Sequence, residues 1–145
     1  MNRVVAVAVG LATGGLLLAR RCCTLATVRG YSMLPTLSDG QRVLAIRRRR
    51  YRVGDIILFW VPVGSGTAGD PDFRVKRVIA TAGQPRPALF ADSALADLVP
   101  ARHVAVVGDA PRSEDSRQLG YLPLHNVRGR VAAGPGPLSW SGTAR

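Results

Sequence analysis

Asp55-Ile56-Ile57-Leu58-Phe59-Trp60-Val61 is the stretch on which the fold turns. One acid is followed by six apolar residues in succession. The run has the length of a strand and is rich in β-branched and aromatic side chains. Apolar residues at both odd and even positions leave no solvent face, so the segment reads as a strand buried on both sides. Gly54 just ahead of it marks a turn.

Outward from this strand the chain keeps the same style. Arg42–Ile46, Phe73–Thr81, His103–Val107 and Val127–Ala132 read as further strands, parted by Gly and Pro turn signals. Gly64–Pro71 reads as a flexible loop. Gln84–Pro100 carries three prolines and is predicted to form a turn with one short helical piece over Ala91–Leu98. Gly134–Arg145, rich in Gly, Pro and Ser, reads as a flexible tail. Many short strands with little helix predict a mostly β fold, a compact antiparallel sheet or barrel-like domain.

The chain has 145 residues, 47% of them hydrophobic, enough for one domain with a real core. Its formal net charge is +11, which suits an anionic surface such as phospholipid or nucleic acid. Cys22 and Cys23 are adjacent, a spacing that strains a mutual disulfide and matches no zinc pattern. Val4–Ala19 runs sixteen residues without a charge, between Arg3 and Arg20-Arg21. As a helix it spans roughly 24 Å, a short match for about 30 Å of hydrocarbon that snorkelling arginines can extend. A retained membrane anchor is favoured over a cleaved secretory signal, since arginines stand where a small-residue cleavage site is needed. The expected organisation is an anchor and juxtamembrane segment over 1–28, a folded domain over 29–133 and a tail over 134–145. Counting arginines on either side of the anchor places the C-terminal part in the cytoplasm.

Arg47-Arg48-Arg49-Arg50 lies between two strands and reads first as a solvated hairpin tip, second as a contact for anionic lipid headgroups. Nucleic acid is excluded as the expected partner, because the tract lacks interleaved aromatics and any accompanying recognition motif.

Two further stretches carry chemistry. Gly30-Tyr31-Ser32-Met33-Leu34-Pro35-Thr36 presents a serine on a turn, with Pro35 ending regular structure just past it. Such a turn can aim the serine's own N–H at an oxyanion, although serine turns are common in purely structural roles. A serine needs a base, and neither His103, opening a strand, nor His125, in a turn, has a triad context. Lysine can serve if burial makes its amine neutral. Lys76 sits among Val75, Val78 and Ile79 and is the single lysine beside nineteen arginines, which cannot act as bases. A surface lysine on a strand is the plain alternative.

Taken in order, Ser32-Met33-x-Pro35-Thr36, Gly54-Asp55 opening an apolar strand, Lys76-Arg77-Val78, and Gly108-Asp109 leading to Ser113-x-Asp115-Ser116-Arg117-x-x-Gly120 resemble the boxes of type I signal peptidases. The similarity runs from Gly30 to about Val131. It implies a serine endopeptidase with Ser32 as nucleophile and Lys76 as general base. Ser113 would orient the amine, Asp115 and Arg117 would pair to hold that loop, and Asp109 would help shape it. Met33 and the strand from Asp55 would line the cleft, and Gly30, Thr36 and backbone N–H groups would attend the oxyanion. No metal or cofactor is implied. The substrates would be signal or leader peptides of exported precursors, bound as an extended strand with small side chains at alternate positions. The family implies a single-pass protein of the cell membrane with its catalytic domain outside the cytoplasm, against the arginine count. Two departures stand out. Ala110-Pro111 replaces the asparagine that usually follows Gly-Asp, and Gly30 stands where some members carry a side-chain oxyanion donor.

Three rivals are kept open. One is a maturation protease dedicated to a single precursor, similar to the peptidases that trim nickel superoxide dismutase. Another is a self-cleaving Ser–Lys repressor, which the apolar N-terminus opposes. The last is a membrane-anchored binding module with a degenerate site.

Overall fold

The computed structural model describes residues 22–61 and 72–133. Seven strands form one antiparallel sheet: β1 (Cys23–Thr27), β2 (Arg42–Ile46), β3 (Ile56–Val61), β4 (Asp72–Thr81), β5 (His103–Val107), β6 (Leu122–Pro123) and β7 (Val127–Ala133). Their order is β1-β2-β7-β3-β4-β5-β6, so β7 is inserted between β2 and β3. The mostly β, antiparallel expectation holds. The barrel does not: the sheet is open, with no pairing between β1 and β6 among the described residues. The candidate anchor over residues 4–19, the loop Gly64–Pro71 and the tail after Ala133 lie outside the described residues. No helix among those described is long and apolar enough to cross a membrane.

The central-strand reading of β3 is met, since Ile57, Leu58 and Phe59 are buried in succession. Its two faces feed different parts of the core. Ile57 and Phe59 pack with Val78, Val104, Val106, Leu122 and Val127. Ile56 lies against a second cluster made by Val28, Met33, Leu37 and Val43. A third cluster joins Ala80, Phe90, Val99 and Ala105. The β4–β5 register shifts between Val78 and Ala80, an extra residue that lets these two same-parity positions serve different clusters.

Three expectations need correction. β1 takes Cys23–Thr27, read from sequence as juxtamembrane, into full register with β2. Its residues do not alternate apolar with polar, and Leu25 is exposed, so the segment reads as a continuation of the apolar run before it. Arg47–Arg50 is exposed but is no hairpin tip, because β7 separates β2 from β3. The helix expected over Ala91–Leu98 is absent. A 3₁₀ turn forms at Ala88–Phe90, and Pro85 bridges Leu98 instead. Pro85 and Pro87 keep the entry to this segment extended, and Arg86 holds its return by donating to the Ser93 and Leu95 carbonyls.

Candidate active site

The turn bearing Ser32 is anchored at both ends. Val28 N–H donates to the Gln41 carbonyl at 2.8 Å, and Gly40 N–H to that of Val28 at 2.9 Å. Gly30 has φ +82°, a backbone that other residues adopt at a cost, and its N–H donates to Asp39 Oδ1 at 2.7 Å. Met33 and Leu37 drop into the core beside Val28 and Val43. The turn is thus held by its own apolar side chains, leaving Ser32 half-buried. Among the described residues the backbone N–H groups of Ser32 and Met33 have no hydrogen-bond partner, and neither has the Ser32 hydroxyl.

Lys76 lies opposite Ile57 in the β3–β4 register and two positions before Val78, so its stem shares a face with the apolar cluster. The residue is 3% exposed. Its Nζ donates to Ser113 Oγ at 2.7 Å. Burial pushes the amine below its usual range, opposed first by the charge of Asp115.

Ser113 belongs to the segment after β5, which is fixed by its own polar groups. A single-turn helix, α1 (Ser116–Leu119), is capped by fully buried Asp115, and the Gln118 side chain accepts in turn from Asp115 N–H. Arg117 donates to both Asp115 oxygens, Nε at 3.0 Å and Nη2 at 2.8 Å. Ser116 Oγ accepts from Val106 N–H at 2.9 Å, tying the segment to β5.

Gly108 is where the two halves meet. A Cβ there would overlap Ser113 Oγ and would stand 2.5 Å from both Ser113 Cβ and the Ser32 carbonyl oxygen. That carbonyl accepts from Ala110 N–H at 3.1 Å. The Ser32 backbone and the serine that holds Lys76 therefore close on one α-carbon, an approach only glycine permits.

Arg77 makes the outer fastening. Period-two geometry turns it to the face opposite Lys76. It grips Asp109 with Nε at 2.8 Å and Nη2 at 2.7 Å, and also reaches the Gly54 carbonyl and Thr36 Oγ1. Thr36 Oγ1 donates to Asp109 Oδ2. The bonds from Arg77, aided by Thr36, hold the Asp109 carboxyl below the usual carboxylate range in spite of burial.

The structure thus links Lys76 to Ser113, Arg117 to Asp115 and Thr36 to Asp109, and sets the Ser32 carbonyl beside Gly108, while no hydrogen bond among the described residues joins the Ser32 hydroxyl to Lys76 Nζ. It gives three residues other surroundings than expected. Met33, expected to line the cleft, is 1% exposed and part of the core. Gly30 and Thr36, expected near the oxyanion, spend their donors on Asp39 and Asp109. Sequence reasoning assigned nothing to Arg77, although its alternation with Lys76 and the acid of Gly108-Asp109 were both readable. It also left Gly108 without a role.

No curated protein matches the chain. The family model described as signal peptidase, peptidase S26, covers residues 1–85 and 87–134, nearly the whole length, and the chain that carries this site belongs to the signal peptidase family.

Proposed function

We propose that this signal peptidase-like serine peptidase works through a Ser32–Lys76 dyad and removes N-terminal signal or leader peptides from exported precursors. The observation that carries the reading is a buried lysine amine on Ser113, at the glycine where the Ser32 carbonyl also packs. Lys76, whose burial favours the neutral amine, takes the Ser32 hydroxyl proton as Oγ attacks the scissile carbonyl. The unpartnered N–H groups of Ser32 and Met33 are suited to the oxyanion, in place of the Gly30 and Thr36 donors. The Lys76 ammonium then gives its proton to the leaving amine, and water releases the acyl group with Lys76 again as base.

Residues 4–19 are proposed as a single-pass anchor, with the catalytic domain on the extracytoplasmic side. Arg47–Arg50 is proposed to meet anionic headgroups. The Arg47 N–H donates to the Cys22 carbonyl at 2.7 Å, so the tract stands where the apolar segment leads into the sheet. Its guanidinium groups have no ion-pair partner among the described residues.

The test is cleavage of a peptide with alanine at the first and third positions before the cut. Ser32→Ala and Lys76→Ala should each abolish turnover while the urea midpoint shows a folded domain. Near-normal turnover in either variant ends the dyad mechanism.

A further inference from the structure

Arg74 and Glu114 have no role in the chemistry above, yet each is a close neighbour of one of its members. Arg74 precedes Lys76 by two residues on β4, hence on the same face of the sheet. Glu114 directly follows Ser113. Arg74 Nη1 donates to Glu114 Oε2 at 2.5 Å, while Lys76 Nζ donates to Ser113 Oγ at 2.7 Å. Two successive residues of the loop are therefore fastened to two successive same-face positions of the strand. The Lys76–Ser113 rung is buried. The Arg74–Glu114 rung is partly open, with side chains 19% and 50% exposed.

We propose that Arg74 and Glu114 are positioning residues for Lys76, their ion pair keeping Ser113 seated on the amine and setting the balance of charge around it. The inference rests on Lys76 being the general base. The charged groups that act on the amine are Arg74 from β4, Asp109 from the turn after β5, and Glu114 and Asp115 from the segment before α1. Arg77 turns to the other face and is bound to Asp109, and Arg117 is bound to Asp115. Within the outer rung the two charges oppose one another. The Arg74 cation disfavours a proton on Lys76, and the Glu114 anion favours it.

The experiment is the pH profile of kcat/KM for the full-length chain, with the alanine peptide as substrate. Arg74→Gln should move the acid limb to higher pH, and Glu114→Gln should move it to lower pH. Each should also lower the plateau by about two- to fivefold as the clasp is lost, the scale of a partly exposed ion pair. Arg74→Lys keeps the charge and should leave the limb in place. A purely structural pair would lower the urea midpoint and leave every limb where it was. Unmoved limbs, or limbs displaced in the same direction by Gln at both positions, overturn the proposal. Lys76→Ala, assayed alongside, separates the two failures. An active Lys76→Ala enzyme defeats the dyad itself, whereas an inactive one beside unmoved limbs defeats only the role given to Arg74 and Glu114.

Discussion

Gly108→Ala tests whether Ser32 and Lys76 occupy one site. Gly108 is not among the glycines with positive φ, so an alanine there is free of backbone strain and the obstacle is space. Ser113 Oγ can rotate away from the added methyl, but it then leaves Lys76 Nζ. Ser113 Cβ and the Ser32 carbonyl oxygen, each 2.5 Å from the new carbon, cannot rotate away. Restoring ordinary contact needs a separation of roughly 1 Å between the Ser32 turn and the Ser113 segment. The Ala110–Ser32 hydrogen bond stretches with it. Misplacing reacting groups by that distance costs on the order of 10²-fold in rate, so kcat/KM on the alanine peptide should fall about 100-fold. Overpacking of this kind costs typically ~1–3 kcal/mol, which a stable domain survives. The urea midpoint should therefore drop while a cooperative transition remains. A cooperatively folded Gly108→Ala enzyme within about threefold of the parent kcat/KM would refute the shared site.

Other expectations follow from the same geometry. The proposed mechanism needs Lys76 neutral, and burial lowers its pKa from 10.5, so kcat/KM should rise with pH along an acid limb whose midpoint lies below that value; a midpoint at or above it contradicts the mechanism. The same shift bears on stability. Below the folded midpoint both states hold the proton and the cost of burying the ammonium is fully present. From there up to 10.5 the unfolded chain alone is protonated, so stability rises with pH. Lys76→Met should remove that rise in urea midpoint, and an identical slope in both proteins would count against a buried, shifted amine. Asp115→Ala removes the cap of α1 and the partner of Arg117, and should destabilise by ~1–3 kcal/mol, more than Arg117→Ala, whose side chain is a third exposed. Equal urea midpoints for the two variants would contradict this. Arg77→Lys keeps the charge but loses the two-pronged grip on Asp109 and the reach to Gly54 and Thr36. It should lower kcat/KM by about tenfold, and parent-like kinetics would show that this fastening does not position the Ser32 turn.

The strands were readable where side-chain pattern alone decides them. β3 has three consecutive buried residues, as its unbroken apolar run implied, and β2 and β5 fall on the predicted residues. β1 was not readable, because nothing in Cys23–Thr27 separates an edge strand from the end of an apolar segment. Strand order was also out of reach. No local pattern says that β7, last of the strands, pairs with β2 and β3. The arginine tract was misread as a hairpin tip for that reason. In the site, the lysine's apolar neighbours left burial and a surface position both open, and the sheet buries it, whereas the uses of Gly30 and Thr36 depend on Asp39 and Asp109. Thr36 meets its acid 73 residues away, a contact that only the folded sheet defines.

That strand order has a consequence for any shortened form of the chain. Among the described residues, β1-β2 and β3-β4-β5-β6 form two ribbons whose strands pair with each other only through β7. The first carries the turn with Ser32, the second carries Lys76. A chain cut before Val127 would lose the β7 ladder and keep the contacts around Gly108 and the Arg77–Asp109–Thr36 fastening between the two ribbons.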